Sequence, residues 1–254
     1  MAVITEAALR AMRSAGLPNP FPLRRGDKLT PAAADYLKEH GIRLVEAQDA
    51  VEGRHPAQNR HIPVGVSGRH VHLSAEHAAA LFGPGYSLTP MKELSQPGQF
   101  AAKEQVTLRG PRGAIHGVRI LGPIRSETQV EIAKTDGFTL GVHPPIRLSG
   151  SIVGTPGITI EGPCGEIVLA RGVIIARNHV HMSPEEAAEF GVAHGDTLIL
   201  AAEGERKIEF ADVAVRVDKR FRLDFHIDTD EANAADLRTG DVVRLVGANG
   251  IRFA

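Results

Sequence analysis

A single cysteine, Cys164, stands among 254 residues, so there is no intrachain disulfide framework and a reducing compartment is expected. Its setting, Gly162-Pro163-Cys164-Gly165, reads as a turn beside a strand, where a small buried thiol is expected rather than a catalytic thiolate. Charge of one sign is also missing. The net charge of −1 argues against nucleic acid or an anionic membrane as partner. No long apolar run suggests a membrane span, and the N-terminal residues lack a signal-peptide core. No Ser-His-Asp or Cys-His arrangement stands out as a covalent catalytic centre. The length fits one large domain or two small ones with substantial cores.

What the chain does contain is a repeat. Arg69-His70-Val71-His72-Leu73-Ser74 is echoed by Asn178-His179-Val180-His181-Met182-Ser183, at a constant offset of 109. On a strand, residues i and i+2 share a face, so each histidine pair converges while the valine between them turns to the core. On a helix the pair would diverge. Helix-start signals follow both copies. Ser183 is an N-cap with Pro184 at the first helical position and Glu186 closing a capping box, and Ser74 plays the same part more weakly. Each copy thus reads as strand, His-x-His, short helix. Two solvated histidines explain one such pair; two pairs in matching contexts favour metal binding, with further ligands completing each shell.

The N-terminal part differs from the rest. Thr5 caps a short helix with Ala8, Leu9 and Met12, ended by Gly16 and the prolines at 18, 20 and 22. Thr30 and Pro31 start a second helix that holds Leu37 and stops at Gly41. The polar stretch 48–59 reads as a linker. From Ile62 onward short strand-like runs alternate with glycines and prolines: 106–108, 118–121, 130–132, 158–160, 167–169, 173–176, 197–200 and 213–217. The expected fold is mainly β with short helices. It comprises an N-terminal helical extension and linker (1–60) and two similar β-barrel halves capped by helices (61–150 and 151–254).

Three further segments carry chemistry. In 225–233, Asp228 and Glu231 read as a helix cap and its box partner before a helix that Gly240 ends, which leaves His226 free as a ligand. Alternation turns Glu131 away from the face of Val130 and Ile132, and alone it reads as solvated. Arg125 follows the Gly122-Pro123 turn, where a guanidinium can clamp phosphate or form a surface ion pair.

Six motifs then run in order: Arg-His-Val-His-Leu at 69–73, Leu-Ser-Gln-Pro-Gly-Gln-Phe-Ala-Ala at 94–102, Val-Arg-Ile-Leu-Gly-Pro at 118–123, Gln-Val-Glu-Ile at 129–132, His-Val-His-Met at 179–182 and His-Ile-Asp-Thr-Asp-Glu-Ala-Asn at 226–233. Together, over about 62–240, they resemble the PduL-type phosphotransacylases, the phosphate propanoyltransferases of bacterial microcompartments. The resemblance implies exchange of an acyl-CoA thioester with phosphate to give acyl phosphate and CoA, assisted by two divalent metals, usually zinc. It implies that His70, His72 and Glu131 hold one metal within reach of the CoA sulfur, and that His179, His181 and His226 hold the other. Arg125 matches a phosphate contact, and Ser67, Lys92, Arg119, Leu121 and Asn233 fall on the CoA path. Metals acting as Lewis acids, with Arg125 orienting the anion, would allow direct transfer without an acyl-enzyme.

One departure stands out. The family pattern has a basic residue before the second histidine pair, where this chain has Asn178; Arg177, one place earlier, would face the other way. Thr-Pro-Ala-Ala at 30–33 with Tyr36-Leu37 resembles short segments on other microcompartment enzymes, which implies docking of residues 1–46 to a shell or core enzyme, or else a stabilising cap. A bacterial cytoplasmic, microcompartment setting and a homo-oligomer are expected. The competing readings are a metal-dependent thioester or phosphoester hydrolase and a non-catalytic metal- or CoA-binding scaffold. Arg125 speaks for the transferase, because water needs no anion clamp.

Overall fold

The computed structural model describes residues 3–13, 21–24, 27–42, 44–47 and 60–253. The chain divides into two compact units, Met1–His55 and Pro56–Ala254. No helix among the described residues is long and apolar enough to cross a membrane.

The first unit runs β1 (Val3–Ile4), α1 (Glu6–Arg13), β2 (Phe21–Arg24), β3 (Lys28–Leu29), α2 (Pro31–Glu39) and β4 (Leu44–Ala47). Its helices start at the expected caps: Ala8 N donates to Thr5 Oγ1 at 3.2 Å and Ala33 N to Thr30 Oγ1 at 3.3 Å. Each such cap contributes about 1 kcal/mol. The extension read as helical also carries strands, with β1 parallel to β3 and β2 parallel to β4. Strands this short leave no periodicity to read. Leu9, Phe21, Ala33, Tyr36 and Leu37 are buried together, so this unit has a core of its own. The Met12 side chain, Gly16, Pro18, Pro20 and the stretch 48–59 lie outside the described residues, and Pro22 sits in β2.

The second unit begins β5 (His61–Ser67), β6 (His70–His72), α3 (Ala75–Phe82), β7 (Pro90–Glu93), β8 (Phe100–Arg109), β9 (Ala114–Gly122), β10 (Gln129–Glu131), α4 (Lys134–Leu140) and β11 (Ile146–Arg147). It continues β12 (Ile158–Gly162), β13 (Gly165–Leu169), β14 (Val173–Ala176), β15 (His179–Met182), α5 (Pro184–Phe190), β16 (Thr197–Ala202), β17 (Ile208–Val217), β18 (Asp224–Asp228), α6 (Thr229–Ala235), β19 (Val242–Ala248) and β20 (Ile251–Arg252). One sheet, ordered β11-β14-β10-β6-β9-β8-β12-β13 with β7 beside β8, stays open as a half-barrel. The other, ordered β16-β17-β15-β18-β5-β19, closes through β16–β19 pairing into a six-stranded barrel.

The two sheets exchange strands. β5 precedes β6 in the chain yet pairs with β18 in the closed barrel. β14 precedes β15 yet pairs with β10 in the open sheet. Strands from beyond residue 150 (β12, β13 and β14) therefore belong to the first sheet, and β5 belongs to the second.

Alternation builds the cores. Val71, Leu73, Ile120 and Val130 face one interior, and Val180, Met182, Val215 and Phe225 face the other. Each fully buried side chain of this size contributes about 1.5–3 kcal/mol. The opposite faces of the same strands are left for polar side chains. Gly122 ends β9 against Phe100, where a Cβ would sit 2.2 Å from the ring, so any other residue would have to displace the Phe100 side chain.

Three sequence expectations change. Cys164 is exposed, because its turn between β12 and β13 lies at the sheet edge. The helix expected to run to Gly240 ends at Ala235, where Asp236 takes a left-handed conformation at φ 51°. Helix α4, which no strong apolar period announces, follows β10, and its Asp136 accepts from Ala133 N at 3.2 Å.

Candidate metal and anion site

Both histidine pairs sit on strands with the same two neighbours. β6 runs antiparallel to β10 and parallel to β9, as β15 does to β18 and β17. Register then puts a third donor opposite the first histidine in each copy: Glu131 faces His70, and His226 faces His179. His70 Nε2 lies 3.5 Å and His72 Nε2 4.0 Å from the carboxylate oxygens of Glu131. In each trio the candidate donor atoms all lie within 4.8 Å of one another.

Backbone carbonyls orient the rings. Nδ1 of His70 faces Gly68 O at 2.9 Å, that of His72 faces Leu121 O at 3.2 Å, and that of His179 faces Arg177 O at 2.7 Å. Their Nε2 atoms are thereby turned to the site, the arrangement a metal-binding imidazole needs. His226 Nε2 lies 2.8 Å from Asp224 Oδ2. Gly65, opposite His226 on β5, makes room for this carboxylate, since a Cβ there would meet Asp224 Oδ2 at 2.8 Å.

Burial sets the charge states. It pushes His72 down to about 3, helped by the charges of His70 and Arg125, and His179 down to about 4, helped by His226. His181 falls to about 2 for the same reason, with His179 and His226 adding. Burial opposes the charge on His70 too, but Glu131 beside it carries His70 above its ordinary value. Burial alone would raise Glu131; the adjacent imidazoles and Ser149 hold it far below the usual carboxylate range. Glu131 is thus a buried anion, not the solvated strand residue its sequence suggests.

The donor set fits divalent cations, and His181 supplies an independent sign. Both its ring nitrogens are buried without a hydrogen-bond partner. Such a group costs about 1–3 kcal/mol unless something binds it. Two imidazoles with a carboxylate, and three imidazoles, are zinc-type ligand sets that leave a coordination position open.

Both trios border one cavity of about 440 Å³. Arg125 reaches this cavity. Its backbone N donates to Leu73 O at 2.9 Å, and its Nη1 donates to Ser149 Oγ at 3.1 Å. Arg216, which the sequence reading passed over, lines the cavity as well, opposite His181 on β17. Alternation held the clue, because Arg216 shares a face with Ala214 and opposes Val213, Val215 and Val217. Burial lowers both guanidiniums from their ordinary value, and Glu131 partly offsets this in each. Gln129, Ser149, Gln96 and Phe221 were also missed. Phe221 packs on His181 at 4.1 Å between ring centres. Gln96 donates to Arg222 O at 3.1 Å and accepts from Arg222 N at 3.1 Å, tying the loop 94–99 to the segment after β17.

Of the residues expected on a CoA path, Ser67 and Leu121 border the cavity. Lys92, Arg119 and Asn233 are not among its lining residues. Arg119 Nη1 donates to Ala102 O and Lys103 O at 3.0 and 2.8 Å. Asn178 donates to Glu231 at 2.7 Å, as Arg69 pairs with Asp136 at 2.6 Å in the other copy. The residue before each histidine pair therefore anchors a helix start. Arg177 pairs with Asp212 at 2.7 Å.

Residues 63–238 match the family profile described as phosphate propanoyltransferase. A phosphate propanoyltransferase of Thermotoga maritima is 59% identical over 186 residues, covering 73% of this chain and 89% of the relative. One from Citrobacter rodentium is 55% identical over 179 residues (70% and 85%), and one from Rhodobacter capsulatus is 51% identical over 184 (72% and 86%).

Proposed function

This chain belongs to the phosphate propanoyltransferase family, and from that membership we propose that its cavity interconverts propanoyl-CoA and phosphate with propanoyl phosphate and CoA. The chain is an acyltransferase. A phosphate oxygen forms a bond to the thioester carbonyl carbon, the carbon–sulfur bond breaks, and sulfur leaves with its electron pair; the reverse reaction retraces these changes.

One observation carries the residue roles: two partly buried guanidiniums, Arg125 and Arg216, share a cavity with both donor trios. A desolvated guanidinium holds a phosphate through paired hydrogen bonds more strongly than an exposed one would. Arg125 and Arg216 bind and orient the phosphate and offset the charge that develops during transfer. His70, His72 and Glu131 would hold one divalent ion, and His179, His181 and His226 a second, with zinc favoured by the donors. Such ions supply Lewis-acid polarisation and favour a deprotonated sulfur. CoA approaches past Ser67 and Leu121, which border the cavity, and the family resemblance adds Lys92, Arg119 and Asn233 to its path. Hydrolysis fits less well, since a water nucleophile needs neither guanidinium.

The unit Met1–His55 lies outside the matched residues 63–238 and has its own core, which supports a docking role toward a microcompartment shell or core enzyme.

The test is release of free thiol from propanoyl-CoA with and without phosphate. Phosphate-dependent release with propanoyl phosphate as product is expected. Equal release without phosphate would identify a hydrolase.

A further inference from the structure

Arg125 and Glu131 carry opposite charges in one cavity, yet among the described residues Glu131 pairs with His70 and His72 and not with Arg125. A guanidinium and a carboxylate left facing each other in a desolvated site would close into a bidentate ion pair. Each would then be lost to other partners, the carboxylate to a cation and the guanidinium to an anion. Something must hold them apart.

A chain of hydrogen bonds through Ser149 and Gln129 links the two instead. Ser149 Oγ accepts from Arg125 Nη1 at 3.1 Å and from Gln129 Nε2 at 2.8 Å. A hydroxyl offers two acceptor sites, and both are used. Gln129 Nε2 donates to Glu131 Oε1 at 2.6 Å as well, and Gln129 Oε1 accepts from Gly150 N at 2.7 Å. Gln129 is buried on β10, directly opposite His72. The amide is therefore locked at both ends. The other charged group facing the pair is Arg216, whose charge acts on both Arg125 and Glu131.

We propose that Ser149 and Gln129 form a neutral spacer that keeps the Arg125 guanidinium off the Glu131 carboxylate, so that one stays open to phosphate and the other to a cation. The spacer rests on the reading of this cavity as the phosphate-using site. Ser149 and Gln129 are positioning residues: they act through Arg125 and Glu131.

This makes a prediction that a merely structural role does not share. Ser149→Ala lets Arg125 swing onto Glu131, so zinc titrated into metal-stripped protein should bind at least about tenfold more weakly at one site. Removing the intruding cation should undo the damage: Ser149→Ala with Arg125→Ala should bind zinc within about threefold of wild type. Inorganic phosphate, titrated without acyl-CoA and read by the rise in melting temperature it causes, should bind Ser149→Ala about tenfold or more weakly than wild type. Unchanged zinc and phosphate affinity in Ser149→Ala would overturn the spacer. So would a zinc defect that persists when Arg125 is also removed. Failure of the transferase reading appears elsewhere, as wild-type protein that releases thiol without regard to phosphate. The phosphate titration decides the spacer in that case too.

Discussion

Neutral imidazoles bind cations, and burial keeps His72, His179 and His181 neutral well below the ordinary value of 6.5. The unfolded chain takes protons on these three below about pH 6.5, while the folded chain refuses them until about pH 4 or lower. Stability of metal-stripped protein should therefore fall as pH drops through that window. His70 acts the other way, since its raised value contributes stability that is present in acid and lost as pH rises through it. Glu131 contributes stability above the unfolded carboxylate range that is lost only at lower pH. Each of the three imidazoles should cost about 1–2 kcal/mol between pH 7 and pH 5, with His70 returning part. Denaturant unfolding at the two pH values checks this; a rise in stability on acidification would mean the rings are not held neutral. At this scale the paired histidines were legible because a rare residue recurs at fixed spacing, and Arg125 because it follows the Gly122-Pro123 turn inside a family motif. Arg216, Ser149 and Gln129 were not: β15–β17 pairing brings Arg216 beside His181, the turn at 149–150 brings Ser149 to the cavity, and Gln129 acts only through its contacts with Ser149 and Glu131.

Among the elements, the strand pairs β6–β10 and β15–β18 are two versions of one unit with different third donors, Glu131 and His226. Because each trio is complete on its own strands, damage to one should spare the other. His70→Ala combined with His72→Ala should remove about half of the bound divalent metal, as separate sites imply. Elemental analysis showing undiminished metal would break the assignment of the first trio. The strand–His-x-His–helix pattern could be read locally, from alternation and caps. Which sheet β5 and β14 would join could not, because a short apolar strand is equally suited to any buried neighbour. The short pairs β1–β3 and β2–β4 escaped for want of any period.

For the whole molecule, Met1–His55 has a core of its own, and the catalytic body is expected not to depend on it. A chain beginning at Arg60 should retain two-thirds or more of its specific activity, and its metal, while losing association with a shell or partner. A collapse of activity together with a large drop in melting temperature would place the first unit in the catalytic body. The exchanged strands bear on motion in the second unit. The chain crosses from closed barrel to open sheet between Ser67 and His70, and from open sheet to closed barrel between Ala176 and His179. Both crossings end on the first histidine of a trio. A swing of one sheet against the other would pivot near these two crossings, which would put the donor atoms close to the axle, where displacement is least. A rim that opened for a bulky thioester would then leave the donor atoms nearly in place.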